Sequence, residues 1–266
     1  GWLGHPAQDA ILRRVFRDRA RVTFVECGRK FGKTEVQCYF LWRNAMMRPG
    51  GHYYFAPEQK QAKEIVWASG RIQAFGPKGW IKSINNTEMR ITLINGSFIK
   101  VDGSDNFNAY RGIEPHSAVY DEYRDFRPEF HKAFGPNLMV YGAPLLICGT
   151  PPEEQDLPHY DGLLAQCQEA GAYFNFPSWC NPHIDKDWLR AEKKALYGRG
   201  DGDVWEREYG ARRVYGGANA VFPMFVPEGR GTHVLPHSTV MDSLWRDRKK
   251  LLWQVVADPG TSSCFA

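Results

Sequence analysis

A chain of 266 residues, 43% hydrophobic and 24% charged, has room for one large domain or two modest ones and is neither fibrous nor disordered in composition. Its formal net charge of +4 permits nucleic acid as a partner without demanding it. The six cysteines (Cys27, Cys38, Cys148, Cys167, Cys180, Cys264) form no CxxC pair or Cys/His metal spacing, and no stretch reads as a signal peptide or an apolar membrane span, so the expectation is reduced thiols in a cytoplasm.

The first segment, residues 1–21, carries Ala10, Ile11, Val15 and Phe16 as a partial helical stripe, with Arg13, Arg14, Arg17 and Arg19 mostly off it. That basic face reads as solvated. Gln8 also suits an adenine edge, because an amide both donates and accepts. Val22–Glu26 is β-branched and aromatic and reads as a buried strand, and from Thr34 the sequence turns helical. Between them lies CGRKFGKT, with the shape of a phosphate-binding loop. Backbone N–H groups of such a loop and the N-terminus of the next helix converge on phosphate oxygens. The candidate nucleotide set is Cys27, Gly28, Arg29, Lys30, Phe31, Gly32, Lys33 and Thr34, with Lys33 on the β- and γ-phosphates and the Thr34 hydroxyl on Mg²⁺. The full pattern G-x-x-x-x-G-K-[ST] has glycine where Cys27 stands; Gly28, one place later, offers backbone freedom instead. The bland alternative is a glycine-containing turn with two lysines.

Glu35–Met47 continues the helix until Arg48-Pro49-Gly50-Gly51 stops it. His52–Ala56 is a second aromatic-rich strand, broken by Pro57, and Glu58–Ala74 reads helical through Ala62, Ile65, Val66, Ala68 and Ile72. Strand, helix, strand, helix predicts a parallel sheet with right-handed connections and its loops gathered at the strand C-termini. Met89–Ile94 and Ser97–Val101 then alternate around Asn95-Gly96, which predicts an antiparallel hairpin added to the sheet. Ser104–Pro115 is polar and turn-rich and is expected as a surface loop, with Arg111 on it. Ser117–Asp121 is a short strand ending in Asp121-Glu122. A carboxylate at a core strand's end can hold Mg²⁺ or its water shell, and the next can orient and deprotonate an attacking water. Without the phosphate loop, the same pair would read as a solvated turn.

Arg127–Phe134 reads as a short helix and Leu145–Cys148 as a buried strand running into Gly149-Thr150-Pro151. Thr150 either senses the γ-phosphate or merely ends that strand. A helix over Gly162–Gly171, a strand over Ala172–Phe176 and a helix over Asp185–Tyr197 follow, the last with Trp188, Leu189, Ala195 and Leu196 expected in a core. Residues 223–250 read as a linker closing an ATPase domain at 1–222, and 251–266 as a new strand that carries Asp258.

Taken together, CGRKFGKT, YYFAPEQKQA (Tyr53–Ala62), NAYRG (Asn108–Gly112), AVYDE (Ala118–Glu122), CGTP (Cys148–Pro151), WEREYGA (Trp205–Ala211) and VVADPG (Val255–Gly260) resemble the ATPase domain of the large subunit of tailed-bacteriophage terminase, the DNA-packaging motor. The resemblance implies an α/β fold: an ASCE-type, RecA-like P-loop ATPase with a mostly parallel sheet flanked by helices. In that family a small residue other than glycine often opens the loop, so Cys27 and Arg29 are ordinary variants. It implies that Lys33 and Thr34 bind triphosphate and Mg²⁺, that Asp121 completes the metal site, and that Glu122 activates water. Thr150 matches the coupling motif, Arg111 an arginine finger acting on a neighbouring subunit, Gln8 the adenine-reading position, and Asp258 the first acid of a ribonuclease-H-like nuclease. The other nuclease acids do not occur in these 266 residues, so cutting is not expected of this chain.

The implied function is ATP hydrolysis driving double-stranded viral DNA into a procapsid. The implied partners are a homo-oligomeric ring, the portal protein and the terminase small subunit, in the host cytoplasm. Phosphoryl transfer to water needs charge neutralisation and an in-line water, which Lys33, Mg²⁺, Glu122 and an arginine supply, Arg29 in cis or Arg111 in trans. Two other readings stay open. A helicase or remodelling ATPase shares the loop and the acidic pair but ordinarily needs a second motor domain; a nucleotide-gated DNA-binding module would bind without useful turnover.

Overall fold

The computed structural model describes residues 3–153 and 157–214, all within one unit of the chain, Gly1–Tyr215. The expected linker over 223–250, the strand over 251–266 and Asp258 lie outside the described residues.

Helix α1 (Pro6–Phe16) starts on a proline, whose missing N–H costs nothing at a helix entry, and buries Gln8, Ile11, Leu12 and Val15. Strand β1 (Val22–Cys27) is buried along nearly its whole length and feeds the glycine-bearing loop, after which α2 (Lys33–Met47) runs back across the sheet. Strand β2 (Gly51–Ala56) is buried throughout, as a strand covered on both faces must be. The single helix expected over Glu58–Ala74 is corrected to three pieces: α3 (Gln59–Ala62), a π-helical turn (Lys63–Trp67) and α4 (Arg71–Phe75), parted at Gly70 with φ 68°. A helix cannot continue through a left-handed residue.

Strands β3 (Ile81–Asn85), β4 (Arg90–Leu93) and β5 (Phe98–Gly103) follow. The expected hairpin is β4 and β5, turning at Gly96 with φ 86°, and β3 extends it. β3 exposes most of its residues at the sheet edge, which leaves its sequence without an apolar alternation. Residues 104–114 are not wholly superficial either: a 3₁₀ turn (Phe107–Tyr110) buries Tyr110 against Phe55, ring centroids 4.8 Å apart. Strand β6 (Pro115–Asp121) ends on the acidic pair. Helix α5 (Pro128–Tyr141) runs past its expected end at Phe134, across Pro136 and on to a left-handed Gly142. Strand β7 (Leu145–Gly149), helix α6 (Pro158–Glu169), strand β8 (Tyr173–Phe176), and helices α7 (Lys186–Arg199) and α8 (Gly202–Glu208) complete the described chain. The Asp185 carboxylate caps α7 by accepting from the N–H groups of Asp187 and Trp188. Of the α7 stripe only Leu189 and Leu196 are buried; Trp188 and Ala195 are exposed, so that expectation holds for half of it.

The eight strands form one sheet, in the order β3-β4-β5-β2-β6-β7-β1-β8. All pairings from β5 to β8 are parallel, and only β3-β4 and β4-β5 are antiparallel. Alternate residues of each central strand feed two cores. One packs Val25, Cys27, Tyr54, Val119 and Leu146 against α1 and α2. The other packs Phe24, Phe55, Tyr120 and Ile147 against Phe130 and Phe134 of α5 and Tyr160 of α6. The order matters for chemistry: β6, β7 and β1 are neighbours, so the residues leaving their C-terminal ends, Asp121-Glu122, Thr150 and the glycine loop, emerge side by side.

Candidate functional site: the cleft above β1, β6 and β7

The loop after β1 is held from several directions. Gly28 has no room for a side chain: a Cβ there would lie 2.4 Å from Ser178 Oγ and 2.5 Å from the Tyr209 carbonyl oxygen. Its need is close approach, while Gly32 meets a conformational need, with φ 99° at the start of α2. Cys27 is fully buried in the α1/α2 core, where burial pushes its thiol well up, so it fills space as a neutral group. Phe31 is also buried, stacked on Phe176 at 5.5 Å and edge-on to His5 at 5.0 Å. Lys30 adopts φ 62°, and its carbonyl accepts from Asn181 Nδ2 at 2.7 Å.

Gln8 lines the same cleft from α1 and works as a brace. Its Nε2 donates to the Gly32 carbonyl at 2.9 Å, and its Oε1 accepts the His5 N–H at 3.1 Å. His5 Nε2 lies 3.0 Å from the Phe31 carbonyl, so α1 carries two polar ties to the loop.

The cleft has a volume of about 750 Å³, and Arg29, Lys33, Thr34 and Glu122 line it together. Lys33 Nζ lies 2.5 Å from Glu122 Oε1. The other carboxylate oxygen, Oε2, accepts from Thr150 twice, from the backbone N–H at 3.1 Å and from Oγ1 at 3.3 Å. One carboxylate thus joins the ends of β6 and β7 to the start of α2. Glu122 reaches across with φ 52°, a left-handed conformation that costs a non-glycine residue energy and persists where surrounding contacts fix it. Burial would raise its pKa, but the Lys33 ammonium, the hydrogen bonds from Lys33 and Thr150, and Arg124 together hold it below the ordinary carboxylate range. Lys33 shows the reciprocal effect: burial disfavours its charge, and the surrounding carboxylates more than offset this, raising its pKa.

Asp121 is 4% exposed and sits deeper. Gln37 Nε2 of α2 donates to Oδ1 at 2.9 Å, and the Tyr54 hydroxyl of β2 donates to Oδ2 at 2.5 Å. Burial and the adjacent Glu122 push its pKa up. The two neighbouring acids are therefore driven apart, one toward the charged form and one away from it.

Arg29 is anchored by α8: Nε donates to Glu208 Oε2 at 2.6 Å, and its backbone N–H donates to the Glu208 carbonyl at 2.6 Å. Arg111 is not brought to the cleft. It is exposed, lies at the end of the 3₁₀ turn before β6, and its Nε donates to Asn108 Oδ1 at 3.2 Å. Two residues carry no role in the sequence reading. Arg124 donates to the Pro151 carbonyl at 2.9 Å and lies 3.6 Å from Glu208 Oε1, with 18% of its side chain exposed. Glu208 itself is nearly buried. The only sequence signal for Arg124 is its place two residues after Glu122, and for Glu208 its place inside WEREYGA; neither spacing separates them from surface charges.

No protein-family model matches this chain, and no curated protein matches it by sequence. Solved structures do. The large terminase ATPase domain of Thermus phage P74-26 superposes with a TM-score of 0.59 at 20% identity, over 80% of this chain and 95% of that one. The large terminase of bacteriophage HK97 gives 0.65 at 16%, over 80% of this chain and 51% of its own. A large terminase from another thermophilic bacteriophage gives 0.63 at 12%, over 78% and 53%, and it has also been solved with ADP and with ATP-γ-S. The chain spans about half the length of these last two proteins. At these identities the likeness establishes the fold: a mostly parallel α/β sheet of the kind found in phage large-terminase ATPase domains, as the sequence motifs led us to expect.

Proposed function

We propose that this chain is an ATP-hydrolysing motor domain that drives double-stranded DNA into a viral procapsid, as the large subunit of a phage terminase. The observation that carries the hydrolytic part is the convergence of Lys33 and Thr150 on the Glu122 carboxylate at the mouth of a glycine loop. Structural likeness to large terminases, including complexes with ADP and ATP-γ-S, supports the nucleotide and the machine.

In this reading Lys33 leaves Glu122 for the β- and γ-phosphate oxygens when the triphosphate enters. The freed Glu122 oxygen then accepts a proton from the attacking water, while Thr150 keeps the other oxygen in place. Arg29, already at the cleft, meets charge that develops on the γ-phosphoryl oxygens. Gln8 sets the entrance to the loop and the edge where a base would lie. Thr34 and Asp121 would hold Mg²⁺, which neutralises phosphate charge; a hydroxyl and a single carboxylate suit this ion, which keeps most of its shell as water and phosphate. Thr150 carries the change at Glu122 into the segment after β7, which is the route we propose for coupling to movement. Arg111, exposed and outside its own cleft, acts on the neighbouring subunit of a homo-oligomeric ring. Portal protein and small subunit are the further partners, the host cytoplasm is the compartment, and Asp258 belongs to the beginning of a nuclease domain.

ATP hydrolysis by Lys33→Ala and Glu122→Gln, measured under conditions that permit assembly, tests this reading. Both variants should be inactive; parental turnover in both would overturn it.

A further inference from the structure

Helix α8 reaches the phosphate-binding loop across almost the full described length of the chain, through one residue. Glu208 grips Arg29 twice, its carbonyl taking the Arg29 N–H and its Oε2 taking Nε–H, each at 2.6 Å. The Glu208 side chain is 6% exposed, whereas that of Arg29 is 62% exposed and lines the cleft. Backbone contact fixes the distance, since Gly28 packs directly on the Tyr209 carbonyl.

The choice of nitrogen is informative. Among the described residues Arg29 makes its side-chain bond through Nε, and its two terminal nitrogens make none. A guanidinium anchored on that edge still offers both terminal nitrogens as a fork for phosphate oxygens. An exposed arginine on a tight loop would otherwise spread over many rotamers. The anchor is charged and stays so: burial alone would raise the Glu208 pKa, and the Arg29 hydrogen bond with the fields of Arg29 and Arg124 holds it low. Its other oxygen lies 3.6 Å from an Arg124 terminal nitrogen and 3.4 Å from Arg207 Nε. Arg124 in turn donates to the carbonyl of Pro151, next to Thr150.

We infer that Glu208 is a positioning residue for ATP hydrolysis: it sets Arg29 in the cleft with both terminal nitrogens free for the γ-phosphate. Through Arg124 it also ties that arginine to the segment carrying Thr150. The inference rests on the ATPase reading above.

The test is a mutant cycle in steady-state ATP hydrolysis and ATP affinity, using the parent, Glu208→Gln, Arg29→Ala and the double variant, with Lys33→Ala alongside. Glu208→Gln should lower kcat about ten-fold, leave the ATP dissociation constant within about two-fold, and remove nothing further once Arg29 is alanine. Glu208→Asp keeps the charge but withdraws it by one methylene; it should show the same background dependence and carries the test if the glutamine variant does not fold. Equal losses in both backgrounds, or a parental kcat in the Glu208 variants, would overturn the inference and, with Lys33→Ala inactive, leave the ATPase reading standing. Parental turnover by Lys33→Ala would overturn both.

Discussion

Lys33 and Glu122, 89 residues apart in sequence, form a 2.5 Å ion pair that joins a candidate nucleotide-binding residue to a candidate catalytic one. Each holds the other in its charged form, and the pair engages the Lys33 ammonium and Glu122 Oε1 while Oε2 stays with Thr150. Under the proposed function a bound γ-phosphate would compete directly for the lysine, which would make triphosphate binding and release of Glu122 one event.

Replacing Glu122 by Gln keeps the shape and removes the charge. Hydrolysis should fall by about 10²- to 10⁴-fold, the usual worth of a positioned general base. ATP binding should be kept or strengthened, because Lys33 no longer has a carboxylate to leave. Single-turnover phosphate release, set beside equilibrium binding of a fluorescent nucleotide, checks both halves.

Tyr54→Phe should act on stability. It strips a donor from Asp121 Oδ2 on a carboxylate that is almost wholly buried. An acceptor left unsatisfied in such a place costs about 1–3 kcal/mol. Urea unfolding should show that loss with the slope unchanged.

Acid should destabilise the domain first through histidine. His52 is fully buried between Ser117 Oγ and the Arg48 carbonyl, and burial pulls its pKa down to about 4. The unfolded chain takes up that proton near pH 6.5, as an ordinary histidine does. As pH falls from there toward 4, unfolding is therefore favoured by about 1.4 kcal/mol per pH unit, roughly 3 kcal/mol across the window. Burial lowers His131 and His159 in the same sense. Denaturation at pH 7 and pH 4.5 should show this loss, and His52→Gln should flatten it.

Arg111→Ala should leave ATP affinity near the parental value and abolish the stimulation of hydrolysis that accompanies assembly. An arginine finger in trans is worth about 10³–10⁵ in rate. Mixing Arg111→Ala with Glu122→Gln subunits should restore part of the activity, since each supplies what the other lacks. Absence of rescue at every mixing ratio would argue for a role within its own subunit.

What the sequence revealed was what local pattern encodes. β1, β2, β6 and β7 are short apolar runs ending in recognisable residues, and their parallel order follows from the helices between them. The glycine loop, Asp121-Glu122 and Thr150 were legible because each sits at a strand end. β3 was not, since an edge strand facing solvent has no apolar period. Nor was the break at Gly70, where a left-handed residue divides an otherwise helical stretch. Arg124 and Glu208 stayed hidden for a different reason: their significance lies in contacts between distant segments, the Arg29–Glu208 bond joining residues 179 apart. Gln8 was read for a nucleotide base; the structure adds that its amide spans His5 and Gly32, contacts no local pattern encodes.

The placement of β1 bears on how the polypeptide is made. Both of its sheet neighbours, β7 and β8, are synthesised more than a hundred residues later. An apolar strand that leads into the glycine loop must therefore wait on the ribosome without lateral hydrogen bonds, a condition that invites mispairing with other chains. Helix α1 is already available and packs on it, together with α2. These two helices give β1 cover on one face while its edges remain open, so substitutions that expose α1 should lower the yield of soluble protein before they alter turnover.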